Sequence, residues 1–174
     1  IQDDASLAKT SVPVSLEATH EGLPLDITTD DPIAYTFTAK NTGTSPAYDL
    51  AFTDSIPWQL EDPSAQTGAH ALSVTITPDG GTARTLTGGT DFTISWTPGA
   101  DPNPGTLKIN LQNTTDAILG VNETITITYY GKIATFAPGT FVDNSGEITS
   151  YSSLPGDGAT LTTARSTDLT EKDD

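Results

Sequence analysis

The sequence contains no cysteine and no methionine among its 174 residues. A disulfide framework is therefore excluded, and any covalent cross-link within the chain must use other side chains. Hydrophobic residues are also scarce, at 34% of the chain. Because the apolar residues alternate with threonine and serine, this low share suits antiparallel sheets with one solvated face rather than disorder.

Basic residues are few. Seven Lys and Arg stand against 23 Asp and Glu, which gives a formal net charge of −16. Such a charge repels nucleic acids and anionic membrane surfaces. No apolar run reaches the length of about 20 residues that spans a bilayer. The charge fits a soluble extracellular surface, and we expect no nucleic-acid partner and no direct membrane insertion.

Twelve prolines and fifteen glycines leave little room for long helices. Strand-like segments bounded by turn residues are predicted at residues 6–16, 33–40, 48–54, 71–77, 92–97, 106–112, 123–135 and 141–151. Segments of this kind predict an all-β fold, an immunoglobulin-like antiparallel β-sandwich with loop insertions. The predicted domain covers residues 6–165, with a linker at 1–5 and an acidic tail at 166–174.

The clearest local pattern is a pair of alternating segments, 33–40 and 48–54, and the chain between them begins with the turn residues Asn41-Thr42-Gly43. Alternation on both sides of such a turn predicts a β-hairpin. The following segment, 57–70, is rich in loop residues, and we expect its Trp58 and Leu60 to tuck onto the sandwich. A short helical turn is expected at 116–120, and a last strand near 159–164.

Three polar residues share a phase with apolar strand neighbours. In a strand, residues two apart point to the same face. Asp54 is in phase with Phe52, and Asn144 is in phase with Ile148. Lys9 is the lysine that shares the phase of an apolar neighbour in its strand. The pattern therefore predicts an amine, a carboxyl and a carboxamide on inward faces.

Burying these three groups is costly unless they meet one another. If they meet, burial favours the neutral amine and the protonated carboxyl. The amine of Lys9 then attacks the side-chain carbonyl of Asn144, while Asp54 bonds that oxygen and shuttles protons as ammonia leaves. The product is an isopeptide bond. The alternative is that Asp54 caps a turn and that Lys9 extends into solvent.

The segment Ile33–Lys40 with Asn41-Thr42-Gly43, followed by residues 48–57, resembles a family of bacterial surface repeats. This is the DUF11 family, with its relative the fimbrial isopeptide-forming D2 domain, which is CnaA-like. The segments 7–10 and 141–148 resemble the first and closing strands of that family. In the closing strand, Gly146-Glu147 departs from the "Ala-x-Val"-like residues expected there.

The resemblance implies that Lys9 and Asn144 form the cross-link and that Asp54 is the catalytic acid. Because some relatives use a glutamate on another strand, Glu123 is the reserve candidate for the acid. The implied function is a structural stalk or spacer repeat of a secreted adhesin or fimbrial-type protein. Its partners would be neighbouring repeats, it would be a monomer, and it would be no enzyme beyond a single-turnover cross-link.

A second interpretation is an uncross-linked spacer or ligand-binding module, stiffened by calcium. Oxygen ligands for calcium are offered by Asp30-Asp31, by Asp101 with Asn103, and by Asp157. None of these has the spacing of an EF-hand. No cofactor is required by the first interpretation.

A third interpretation is a hydrolytic or carbohydrate-active enzyme. Trp58 and Trp96 are candidates for a sugar-binding face, although Trp96 alternates with Phe92 in a way that favours core packing. His20 and His70 lie far apart and lack the spacing of a zinc site. This interpretation has the least support.

Overall fold

A computed structural model describes residues 7–10, 32–134 and 144–152, and for 7–10 it describes the backbone alone. The described residues form nine strands: β1 Leu7–Thr10, β2 Ile33–Lys40, β3 Tyr48–Ile56, β4 Ser73–Thr77, β5 Arg84–Thr85, β6 Phe92–Thr97, β7 Gly105–Leu111, β8 Thr124–Gly131 and β9 Ser145–Ser152. Two single-turn 3₁₀ helices, Pro63–Ala65 and Gly68–His70, lie between β3 and β4.

The strands form two antiparallel sheets. The first sheet has the order β1-β2-β8-β4-β5, and the second has the order β6-β7-β3-β9. The chain moves back and forth between the sheets, so most paired strands are distant in sequence. The fold is the all-β, immunoglobulin-like antiparallel sandwich that the sequence predicts.

Alternation along the strands builds the core. Burial alternates at every position of β2 and β8, with apolar side chains inside and threonines largely outside. Phe37 of β2 meets Phe52 of β3 across the sandwich, with ring centroids 4.7 Å apart. Each large apolar side chain buried this way contributes about 1.5–3 kcal/mol, and β-branched residues suit the pleated, half-buried faces.

The predicted hairpin of 33–40 with 48–54 is wrong. β2 pairs with β1 and β8, whereas β3 pairs with β7 and β9 in the other sheet. The intervening turn carries the chain from one sheet to the other. Its Asn41 side chain donates to the carbonyls of Ser45 and Leu119, at 2.9 and 3.0 Å. Alternation determines the inward face of a strand but not its partner, and here distant segments supply the partners.

Other predicted elements differ in detail. The sequence pattern does not predict β5, because two residues are too few to show a periodicity. The short helical turn expected at 116–120 is not helical. In the segment 57–70, Leu60 is buried and Trp58 is half-buried, as expected. The remainder of the predicted first strand, the strand near 159–164, the linker 1–5 and the tail 166–174 lie outside the described residues.

Candidate functional site

The candidate site is centred on Asp54, a carboxyl inside the hydrophobic core. Asp54 lies on β3 and is 1% exposed. Its strand neighbours on the same face are Phe52 and Ile56, both fully buried. Its partner across the β3–β9 ladder is Gly146. The inward phase predicted for Asp54 from the sequence is therefore the one observed.

A tyrosine from the opposite sheet connects Asp54 with Asn144. The hydroxyl of Tyr129, on β8, donates a hydrogen bond to Oδ2 of Asp54. Asn144, which immediately precedes β9, donates from Nδ2 to Oη of Tyr129 at 2.7 Å. The result is a continuous chain of hydrogen bonds from carboxamide to phenol to carboxylate. It spans the core from one sheet to the other.

Burial and charge keep the phenols of this site protonated. The pKa of Tyr129 is raised far above its usual value, first by burial and then by the negative charge and hydrogen bond of Asp54. Tyr35 stacks on Tyr129, with ring centroids 5.3 Å apart and planes at 21°. Burial, followed by the charge of Asp54, raises the pKa of Tyr35 to about 12. Both hydroxyls are therefore neutral at physiological pH.

Gly146 explains how the carboxyl and an aromatic ring fit under β9. A Cβ atom at this position would lie 2.9 Å from two ring atoms of Phe52 and 3.0 Å from Oδ2 of Asp54. Any side chain larger than hydrogen would therefore push against both groups. Glycine therefore fits the close packing around Asp54 at this position.

Lys9 is described by its backbone alone. It lies on β1, at the edge of the first sheet, and its register partner on β2 is Phe37. Phe37 is 2% exposed and packs against Phe52, which is two residues from Asp54. The register therefore places Lys9 opposite a core position close to the candidate site. Its role as cross-link donor stays a prediction.

Glu123, the reserve acid, lies elsewhere. Both of its carboxylate oxygens accept hydrogen bonds from Arg84, at 2.7 and 2.6 Å. The same oxygen that accepts at 2.6 Å also accepts from the backbone of Gly120. Glu123 precedes Tyr129 by six residues along an extended strand, a separation of about 20 Å. The structure does not bring it together with Asp54 or Asn144.

The calcium and sugar candidates gain no support from the geometry. Within residues 32–134 and 144–152, no three acidic or histidine side chains cluster so as to hold a metal ion. Asp101 and Asn103 are exposed in the turn before β7. Asp30-Asp31 and Asp157 lie outside the described residues. Trp96 is half-buried against the core and covers Gly105, which agrees with packing rather than an open binding face.

Tyr129 is the site residue that the sequence reasoning missed. The alternation of Ile125, Ile127 and Tyr129 already predicts an inward tyrosine. A buried tyrosine hydroxyl usually finds a hydrogen-bond partner, and this rule was the available signal. It points to a polar group in the core without naming the group.

No helix among the described residues has the length and apolarity needed to cross a membrane.

Comparison with known proteins gives only distant likenesses. No protein-family model matches the sequence, and no curated protein matches it. The structure of the group B streptococcus pilus 2b backbone protein is similar over 74% of this chain and 48% of that chain, at 25% identity and a TM-score of 0.45. A CBM3a domain of scaffoldin cipA from Clostridium thermocellum matches over 68% of this chain and 76% of its own, at 12% identity and a TM-score of 0.40. A family IIIa CBD from Clostridium cellulolyticum matches over 67% and 81%, at 18% identity and a TM-score of 0.39.

Proposed function

We propose that this chain is a structural spacer repeat of a bacterial cell-surface protein, and that an isopeptide bond between Lys9 and Asn144 locks its sandwich. The observation that carries the proposal is the hydrogen-bonded chain from Asn144 through Tyr129 to Asp54 in the core. A carboxamide and a carboxyl joined inside an apolar core are the groups that such a bond requires, apart from the amine.

The register of β1 supplies the argument for the amine. Directly opposed residues of an antiparallel pair lie on the same face of the sheet. Because Lys9 is opposite Phe37, it occupies a core-side register position of β1. An ammonium ion is strongly disfavoured in such a place, and a neutral amine is a nucleophile.

The reaction needs no external reagent. The amine nitrogen of Lys9 bonds to Cγ of Asn144, the bond from Cγ to Nδ2 breaks, and ammonia leaves. Asp54 accepts a proton from the attacking nitrogen and returns one to the reacting group. The fold holds the reactants together, which replaces a bimolecular encounter by an intramolecular one.

The bond would stabilise the protein in two ways. It closes a loop that contains β2 to β8 and most of the core. For a loop of about 135 residues, the chain-entropy relation used for disulfides gives about 5 kcal/mol of stabilisation. The bond also joins the first strand to the last strand described, so a pulling force would pass from end to end without unfolding the sandwich. This property suits a stalk.

The test is the intact mass of the denatured protein beside three variants. The parent is expected to lack one ammonia, and Lys9→Ala is expected to have its full mass. Lys108→Ala is the matched control, since Lys108 lies on the exposed face of β7 and should leave the ammonia deficit unchanged. Asn144→Asp is expected to lose water instead of ammonia. A parent of full mass would refute the cross-link and leave an uncross-linked sandwich spacer.

A further inference from the structure

We propose that the hydroxyl of Tyr129 is the proton relay that carries a proton from Asp54 to the departing nitrogen of Asn144. The inference rests on the proposed isopeptide bond and names a further catalytic residue for it. Tyr129 qualifies because its oxygen is 2.7 Å from Nδ2, the atom that must leave as ammonia. On its other side the same hydroxyl is hydrogen-bonded to Asp54.

The need for a relay follows from the chemistry of the leaving group. An amide nitrogen has no basic lone pair, so in the resting state Nδ2 donates to Tyr129. After Lys9 has attacked, Cγ of Asn144 is tetrahedral, and Nδ2 becomes a basic amine. It then accepts a proton, which the same hydrogen bond delivers in the reverse direction.

The proton balance closes within the site. The bond from Nζ of Lys9 to Cγ forms, and one proton passes from Nζ to the carboxylate of Asp54. Asp54 gives a proton to Oη of Tyr129 as the hydroxyl proton moves to Nδ2. The bond from Cγ to Nδ2 then breaks, ammonia leaves, and both Asp54 and Tyr129 return to their starting states. No oxidant, metal or external acid takes part.

The surroundings of Tyr129 favour a relay rather than a base. Burial and the charge of Asp54 raise its pKa, so the phenol keeps its proton until a stronger base forms beside it. The ring of Tyr35 stacks on that of Tyr129 at a centroid distance of 5.3 Å, and Tyr35→Phe retains this ring. Tyr35 is the buried register partner of Tyr129 on β2, and it lies outside the hydrogen-bonded chain from Asn144 to Asp54. It therefore provides a matched control.

The experiment follows cross-linking in the full chain. Parent, Tyr129→Phe and Tyr35→Phe are made by a short pulse of cell-free synthesis, and the loss of ammonia is timed by intact mass. General acid–base catalysis contributes about 10²–10⁴-fold, so Tyr129→Phe is expected to slow the loss at least 100-fold. Tyr35→Phe is expected to react at nearly the parent rate. Equal rates for all three proteins, or equal slowing by both substitutions, would overturn the relay.

Two further measurements separate the relay from folding defects and from the proposed function. Melting of Lys9→Ala with and without Tyr129→Phe compares the folds without a cross-link. Both proteins are expected to melt cooperatively, and Tyr129→Phe should lower the midpoint because Asp54 and Asn144 each lose a hydrogen bond. In the parent, the rate plotted against the deuterium fraction of the solvent should be bowed, because more than one proton moves; a straight line would contradict the relay whether or not Tyr129→Phe folds. A parent that never loses ammonia refutes the cross-link itself, whereas a cross-linked parent with a fast Tyr129→Phe variant refutes only the relay.

Discussion

Two carboxylates of this protein hold distant segments together in opposite ways. Asp54 is 1% exposed and meets neutral groups, a phenol and through it a carboxamide. Glu123 meets the guanidinium of Arg84 in a two-point ion pair, whose side chains are 16% and 28% exposed, respectively. Arg84 also donates to the backbone carbonyls of Asp116 and Ile118, at 2.9 and 2.7 Å.

The difference lies in the side chains that donate hydrogen bonds to the two carboxylates. Arg84 holds the pKa of Glu123 below its usual value, so Glu123 is an anion at neutral pH, and the ion pair joins the loop before β8 to β5. The phenol beside Asp54 supplies a hydrogen bond but no positive charge. Through that phenol, Asp54 is connected to the side chain of Asn144, as the proposed reaction requires. The Glu123 site is therefore suited to a structural ion pair, and the Asp54 site to proton transfer.

The largest effect is expected from Asp54→Asn, which keeps the shape of the side chain and removes the proton-transfer group. Without it the isopeptide bond should not form, and the free energy of unfolding should fall by about 5 kcal/mol. Intact mass and urea denaturation measure the two effects. Glu123→Gln is the control from the other site, and it should keep the ammonia deficit. Ammonia loss by Asp54→Asn would mean that the two carboxylates do not differ in the way described.

A smaller effect is expected from Gly146→Ala. The added methyl would displace the ring of Phe52 and the carboxyl of Asp54, at a cost of about 1–3 kcal/mol. Because the carboxyl moves, cross-linking should also slow. Ser145→Ala, on the exposed face next to it, should change neither quantity. Thermal melting in a Lys9→Ala background isolates the packing cost, and an unchanged midpoint there would show that β9 yields without strain.

The smallest effect is expected on the loss of stability at acidic pH, through Glu123. A carboxyl whose pKa is lowered by folding stabilises the folded state above its unfolded pKa, and this contribution is lost as the pH falls through the folded pKa. For Glu123 the loss begins below its usual value of about 4.5. Urea denaturation between pH 7 and pH 3 should therefore show a shallower acid decline for Glu123→Gln than for the parent. Identical declines would mean that Arg84 contributes little at this partly exposed site.

Much of the fold follows from local pattern. The strands at 33–40 and 92–97 have the predicted bounds, and the inward phases of Asp54 and Asn144 are observed. These features depend on the two-residue period, which any apolar core enforces. Strand partners were harder to infer. The expected hairpin failed because β2 and β3 each pair with strands far along the chain, and no local signal encodes such partners.

The sequence by itself determined that the chain forms sheets, that no disulfide joins them, and that a carboxyl and a carboxamide face inward. Tertiary structure decided which of these groups meet. Tyr129 reaches Asp54 and Asn144 only because β8 lies in one sheet while β3 and β9 lie in the other, and the two sheets pack face to face. Glu123, equally acidic in the sequence, lies toward the other end of β8, where Arg84 of β5 forms an ion pair with it. Periodicity acts over two residues, whereas the meeting of side chains depends on the path of the whole chain.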